Sequence, residues 1–398
     1  MRSQAITFPG SLGVQLAARL ELPLTTPRAY AIFAHCFTCG KDSTAAVRVS
    51  RALAAQGVAV LRFDFTGLGK SDGKFAESNF SSNVADLLSA AEYLRANFEA
   101  PSLLIGHSLG GAAVLAAGGA IPEVRAIATI GAPAEVTHVA HHLGAHAETI
   151  EAEGQAEVKL GGRSLTFTRQ FLDDLNAHDL PALVAKLHCP LLVLHAPRDK
   201  VVGIDNASRI FVAAKHPKSF ISLDDADHLL LRAEDAQYAA DLIAAWAARY
   251  LPAENRDQDP GPGVLVEETG TGKFIQRVRV GAHDLIADEP IAYGGEDAGL
   301  SPYQLLSAAL GACKSMTLRM YASRNNLPVD KIAVRVRHEK VDEPAGKSDL
   351  FNAEVTLGGE LTAEQRAKLL DIADRCAVHR TMTGDTKVET QLADAPAN

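Results

Sequence analysis

Between residues 29 and 253, short apolar runs alternate with stretches of helical length. AYAIFAH, VAVLRFDF, SLLIGHS, AIATIGAP, PLLVLHAP and SFISLDDADH each fit a buried strand. That rhythm predicts a doubly wound, mostly parallel sheet with covering helices, an α/β fold over residues 1–253. It stops at PAENRDQDPGPG, where Pro, Gly and charge replace the apolar period, and an exposed linker is expected over 254–263. Beyond it GVLVEET, KFIQRVRVG and HDLIADEP read as strands, and a long helix is expected from Pro302 to Asn325. KIAVRVRHEKV and LFNAEVTLGG follow as strands, then a second helix and a last strand, KVETQL. Strands grouped and helices grouped predict a smaller α+β domain of about 135 residues over 264–398.

The composition narrows the function classes. The 398 residues are 47% hydrophobic and 22% charged, too apolar for a disordered chain. With 48 acidic against 39 basic residues the net charge is -9, which offers no general footprint for nucleic acid or an anionic membrane. The N-terminal stretch lacks the continuous apolar core of a secretory signal, so a cytoplasmic location is expected. The most uniformly apolar stretch, Gly110 to Ile121, falls short of the ~20 residues that a membrane span needs. Five cysteines are too few and too widely spaced for a disulfide framework, so any cysteine chemistry is expected to be local and redox-active.

The strongest motif is LLIGHSLGG, which sets Gly106-His107-Ser108-Leu109-Gly110 between a buried strand and a small-residue helix, a G-x-S-x-G in its required context. Ser108 there sits on a sharp turn with its hydroxyl exposed, and bulk at Gly106 or Gly110 would clash where strand and helix backbones crowd. The helix that follows points its N-terminus at the reacting carbonyl, so the Leu109 N–H can donate to a developing oxyanion. A serine hydroxyl needs a histidine base oriented by a carboxylate. In the chain order Ser, acid, His, the candidates are Asp199 after PLLVLHAP and His228 after SFISLDD. Both follow strands, where the open edge of such a sheet places functional loops. Asp224, Asp225 and Asp227 crowd His228 in sequence; Asp199 is preferred because its strand ends separately. AIFAHCFTC supplies a second oxyanion donor, the Phe37 N–H.

Together with the turn DFTGLGKSDG, these segments resemble the α/β-hydrolase family over residues 5–253. The resemblance implies Ser108 as nucleophile, His228 as base, Asp199 as its orienting acid, and a tetrahedral intermediate held by the Phe37 and Leu109 N–H groups. Residues 134–188 interrupt the strand rhythm at the position where the family carries a cap, and a cap of this size suggests a modest pocket for small or short-chain acyl esters. His138, His141, His142 and His146 have helical spacing without the Cys or acidic partners of a metal site, so they read as a solvated face; no metal or cofactor is expected. Cys36-Phe37-Thr38-Cys39 is a C-x-x-C set in the oxyanion loop rather than in a thioredoxin-like context, and reads as packing around that loop.

In SPYQLLSAALGACKSMTLRMYASRNN, Ser301 is a natural N-cap with Pro302 at the first helical position, and Leu306, Leu310, Cys313, Met316 or Thr317 and Met320 recur at helical spacing. That stripe is expected to face inward. The second helix opens with the capping box Thr362 and Gln365 and ends at Arg375-Cys376-Ala377-Val378-His379-Arg380. The order of strands, GACKSMTLRMYA, two more strands and RCAVHRTM resembles the OsmC family of thiol peroxidases, and the whole chain is similar to bacterial fusions of a hydrolase with an OsmC-like domain. The resemblance implies Cys313 as the peroxidatic thiol and Cys376 as its partner, organic hydroperoxides and a thiol reductant as reactants, and an intertwined homodimer. Tyr303 stands where hydroperoxide-reducing members carry a glutamate, and Arg279 and Arg380 are the candidate cations for activating Cys313. Three readings follow: an esterase with a fused dithiol domain, a hydroperoxide reductase first of all, or an esterase whose second domain only dimerises it.

Overall fold

The computed structural model describes residues 2–36, 39–141, 143–144, 146–160, 163–253, 261–344 and 346–392. The chain forms two compact units, one of residues 1–272 with 277–284, the other of residues 273–276 with 285–398. Most of the expected linker, residues 254–260, lies outside the described residues.

The first unit opens with an antiparallel pair that the parallel rhythm does not announce, β1 (Arg2–Pro9) and β2 (Gln15–Leu22). Then come β3 (Ala29–Ala34), α1 (Thr44–Ala55), β4 (Val58–Phe63), α2 (Phe80–Asn97), β5 (Pro101–His107), α3 (Leu109–Ala117) and β6 (Ala126–Ile130). An excursion follows, with short helices α4 (His138–His141) and α5 (His146–Glu153), a hairpin of β7 (Gln155–Leu160) and β8 (Arg163–Thr168), and helices α6 (Arg169–Asn176) and α7 (Leu180–Ala185). The alternation resumes with β9 (Leu191–His195), α8 (Asp205–Ala213), β10 (Lys218–Ser222) and α9 (Ala233–Ala247). The eight strands of the main sheet run in the order β1-β2-β4-β3-β5-β6-β9-β10, parallel from β4 to β10.

Every residue of β3, β4, β5, β6 and β9 is buried, which is why these strands read as unbroken apolar runs. Alternate side chains feed two cores. Tyr30, Ile32, Leu61 and Leu104 join α2 and α3 on one face, while Ala31, Phe33, Val60 and Ile105 join α1 and α9 on the other. The excursion is fastened to the first face by the edge-to-face rings of Phe75, Phe167 and Phe171 and by Asp174, which accepts hydrogen bonds from Ser81 N and Oγ.

After the first unit's main sheet comes a three-stranded sheet of β11 (Leu265–Glu268), β12 (Gln276–Val280) and β13 (His283–Ala287). Helix α10 (Pro302–Arg324) starts at a complete capping box between Ser301 and Gln304. It packs on a long hairpin, β14 (Ile332–Glu343) with β15 (Gly346–Leu357), and on α11 (Ala363–Ala373), itself opened by the Thr362–Gln365 box; α12 (Ala377–Thr383) follows.

Two expectations for the second unit are corrected. The buried positions of α10 are Leu310, Gly311, Lys314, Leu318 and Ala322, while Leu306, Met316 and Met320 are exposed. Apolar residues surround this helix, and its buried positions are the i, i+4 row through Leu310, Lys314, Leu318 and Ala322 together with Gly311, which faces Val336 of β14. KVETQL is not a strand: a short alternating segment needs a sheet edge to pair with, and Val388 and Leu392 instead face solvent. No helix among the described residues is long and apolar enough to cross a membrane.

Candidate active site

Ser108 lies between the last residue of β5 and the first of α3 with φ 56° and ψ -125°, a strained conformation that lifts its hydroxyl out of the strand-to-helix turn. The flanking glycines are obligatory at these approaches. A Cβ on Gly106 would stand 2.3 Å from the Gly110 carbonyl oxygen, and one on Gly110 would stand 2.4 Å from that of Ala34 and 2.5 Å from that of His35.

Asp199 and His228 come from the loops after β9 and β10, and the fold brings both to Ser108. The Ser108 hydroxyl donates to His228 Nε2 at 2.9 Å, and His228 Nδ1–H donates to Asp199 Oδ2 at 2.7 Å. Asp199 Oδ1 accepts from the Val201 and Val202 N–H groups at 2.8 and 2.9 Å. Burial pushes the Asp199 carboxyl upward, but these hydrogen bonds and the electrostatic attraction of His228 outweigh it and hold the group below the usual carboxylate range. Leu109 begins α3, so its N–H is among those with no partner in the helical ladder and faces the turn that carries Ser108. Phe37 lies outside the described residues. Its neighbour His35 is described: its Nδ1–H donates to the Cys36 carbonyl at 2.7 Å.

Sequence reasoning gave no role to two further histidines at strand ends. His107 closes β5 and donates Nε2–H to the His228 carbonyl at 2.7 Å; His195 closes β9 and donates Nε2–H to the Val202 carbonyl at 2.7 Å. Burial, then the neighbouring His228, lowers His107 to about 4, and burial also lowers His195, so both rings stay neutral and donate from one nitrogen. Their signal in the sequence is a histidine ending an apolar strand run, a position the buried edge of the sheet rarely leaves without a partner.

His138, in the excursion, bonds the Val201 carbonyl; His142 lies outside the described residues. Among the described residues no three His, Cys, Asp or Glu side chains gather as a metal site. Cys36 and Cys39, expected to serve as packing, are joined by a disulfide. Cys189 remains a thiol pushed up to about 11 by burial.

In the second unit the structure brings Cys313 and Cys376 together. Cys313 Sγ accepts the Val378 N–H at 3.5 Å, and Cys376 Sγ accepts the His379 N–H at 3.4 Å. The Val378 N–H lowers the Cys313 thiol, while burial raises that of Cys376. Arg279, one of the expected cations, pairs with Glu267 at 2.7 Å. A charged group beside the pair is Lys314, next to Cys313 on α10, whose buried ammonium bonds Asp374 at 2.8 Å and the Ala373 carbonyl and His379 Nδ1 at 3.2 Å. Those contacts bracket Cys376 in sequence and fix its segment against α10. Tyr303 stacks flat on His338, with ring centroids 4.0 Å apart.

Residues 25–150 match the family described as serine aminopeptidase, S33, and residues 294–391 match the OsmC-like proteins. The chain is similar to the esterase domain of a Rhodothermus marinus protein, with 50% identity and a TM-score of 0.53 over 63% of this chain and 99% of that structure. It is 29% identical over 182 residues to the mitochondrial palmitoyl-protein thioesterase ABHD10 of Mus musculus, a match covering 43% of this chain and 59% of that protein. The solved structure of the mouse α/β hydrolase domain-containing protein 10 superposes with a TM-score of 0.53 at 25% identity, over 62% of this chain and 99% of that one.

Proposed function

The chain belongs to the α/β hydrolases through its first unit and carries an OsmC-like domain behind it, and on that premise we propose a serine hydrolase that cleaves carboxylic esters through an acyl-enzyme on Ser108. The observation that carries this reading is the unbroken run of hydrogen bonds from Ser108 Oγ through His228 to Asp199. As Ser108 Oγ attacks the ester carbonyl, His228 Nε2 takes its proton and Asp199 stabilises the imidazolium. The carbonyl oxygen becomes an oxyanion that accepts from the Leu109 and Phe37 N–H groups. Its collapse expels the alcohol, which takes the proton back from His228, and water then cleaves the acyl-enzyme by the same route.

Esters of short acyl groups are the class proposed, because the excursion between β6 and β9 has the size of a modest cap. Ser108→Ala tests the reading with p-nitrophenyl acetate. Turnover is expected to fall by about 10⁴ or more, and full activity in that variant refutes the assignment.

For the second unit, the contact between Cys313 and Cys376 supports reduction of organic hydroperoxides. The Cys313 thiolate attacks the peroxide, giving an alcohol and a sulfenic acid; Cys376 then condenses with it to a disulfide, releasing water, and an external thiol restores both. A hydroperoxide titration of reduced protein, read by mass spectrometry, is expected to show loss of two hydrogens in a Cys313–Cys376 cross-link. The exposed apolar side chains of Tyr293, Leu306, Met316 and Met320 support a homodimer through this unit, which sedimentation of the intact chain tests.

A further inference from the structure

The loop between β3 and α1 is anchored at both ends. On one side the His35 carbonyl packs so closely on the nucleophile helix that a Cβ at Gly110 would lie 2.5 Å from it, and His35 Nδ1–H holds the Cys36 carbonyl. On the other, the buried Asp64 carboxylate accepts from Lys41 N at 2.7 Å, Lys41 Nζ at 3.1 Å and Lys70 N at 2.9 Å. Between the anchors, the Cys39 N–H donates to the Cys36 carbonyl at 3.0 Å, and the Cys36–Cys39 disulfide joins the same two residues.

This bond is poorly suited to being a stability staple. It spans a sequence separation of 3, and a cross-link constrains the unfolded chain least when its loop is shortest. The C-x-x-C spacing is instead that of exchangeable dithiols. The two residues also differ in burial: Cys36 is buried and Cys39 half-buried, which favours attack of an incoming thiolate at Cys39 with Cys36 Sγ as the leaving group.

We propose that the Cys36–Cys39 disulfide is a redox modification site of the hydrolase, reduced by a dithiol and re-formed by a hydroperoxide, and that the disulfide form is the one with full ester turnover. Reduction transfers two electrons: a dithiol R(SH)₂ becomes the cyclic disulfide while Cys36 and Cys39 become thiols. Re-oxidation consumes one hydroperoxide, ROOH, and the two thiols, and yields the alcohol, water and the disulfide. This inference rests on the Ser108 reading, in which the loop carries an oxyanion donor. Opening the ring removes a cross-link from the loop whose His35 carbonyl packs against Gly110 on α3, and the loss belongs to kcat more than to KM because the oxyanion donor of that reading acts in the transition state.

The test uses the full chain with Cys313→Ser and Cys376→Ser, so that the second pair does not titrate. The protein is equilibrated across ratios of reduced to oxidised dithiothreitol. Thiol alkylation with peptide mass spectrometry reads the state of Cys36 and Cys39, and p-nitrophenyl acetate turnover is followed in parallel. The expected result is a kcat that follows the disulfide fraction and falls by about tenfold or more on full reduction, against the roughly 10² to 10³ typical of deleting an oxyanion donor outright. Adding Cys36→Ser and Cys39→Ser is expected to fix turnover at the reduced level at every ratio.

Equal kcat in the two verified redox states overturns the proposal. So does a bond that excess dithiothreitol leaves intact, or a redox response that survives Cys36→Ser and Cys39→Ser. Failure of the underlying reading looks different, because Ser108→Ala then retains its ester turnover in the oxidised protein.

Discussion

The ring of His107 donates its Nε2–H to the backbone carbonyl of His228 at 2.7 Å, so the residue before Ser108 holds the residue whose ring is bonded to the Ser108 hydroxyl. The bond links β5 to the loop after β10 without using either nitrogen of the His228 ring, both of which are engaged with Ser108 and Asp199. Replacing His107 with Ala leaves that carbonyl without its donor and frees the loop. The expected outcome is a loss of about tenfold in kcat/KM with p-nitrophenyl acetate, while His107→Gln, which keeps a donor at similar reach, recovers most of it.

The same ring makes stability depend on pH. His107 is held at about 4 in the folded protein against 6.5 in an unfolded chain, so between these values the unfolded state binds a proton that the folded state does not. Stability is therefore complete above pH 6.5, declines as the pH falls towards 4, and has lost its His107 contribution, about 3 kcal/mol, below that. Urea unfolding at about pH 7 and about pH 4.5 checks the slope. His107→Gln is expected to unfold with a shallower pH dependence, and an unchanged slope refutes the assignment to this ring.

Asp199 works in the opposite sense of charge. Its carboxyl is held below the usual range, so the orienting group stays ionised as the pH falls through the ordinary carboxylate region, and its contribution to stability disappears only on passing through the lowered folded value. Asp199→Asn keeps a side chain of the same shape but removes the charge that stabilises the imidazolium. A fall of about 10⁴ in kcat is expected, with folding retained as read by circular dichroism.

The turn at Ser108 and the strand-end positions of Asp199 and His228 were legible because they are local: small residues where backbones meet, and polar residues directly after apolar strands. The excursion was legible as an interruption of 134–188, although its hairpin and four short helices were not. What the sequence left open depends on contacts between distant segments. The roles of His107 and His195 exist only because the sheet aligns the ends of β5 and β9 with carbonyls at His228 and Val202. The inward stripe on α10 was misread because apolar side chains occur all round the helix, and only packing shows that Leu310, Leu318 and the charged Lys314 are covered while Met316 and Met320 are not. The closure of Cys36 onto Cys39 was likewise hidden, since the spacing alone fits a thiol pair, a metal pair or simple packing.

The crowding at the elbow gives a sharper test than the motif itself. Gly110→Ala places a Cβ within 2.5 Å of two backbone carbonyls, neither of which can rotate away, so the loop after β3 or the helix must shift. Turnover is expected to drop by about 10² or the protein to lose several kcal/mol of stability. Gly119, where an added methyl group would meet nothing within 4 Å, is the matched control, and Gly119→Ala is expected to stay within about 0.5 kcal/mol of the parent.

The two cysteines of the second unit influence each other's titration but differ in what surrounds them. Cys313 accepts the Val378 N–H, which favours its thiolate and lowers its titration, whereas burial around Cys376 disfavours its charge and raises it. Near neutral pH a limiting amount of iodoacetamide is therefore expected to label Cys313 before Cys376, as read by peptide mass spectrometry. Raising the pH narrows the difference, because Cys376 then ionises as well. Removing that thiol with Cys376→Ala takes away one of the influences that lower the Cys313 titration, so the midpoint of the Cys313 labelling profile moves to higher pH. Labelling of Cys376 first, or a Cys313 midpoint unmoved in that variant, contradicts the division of roles between a thiol that attacks and a thiol that resolves.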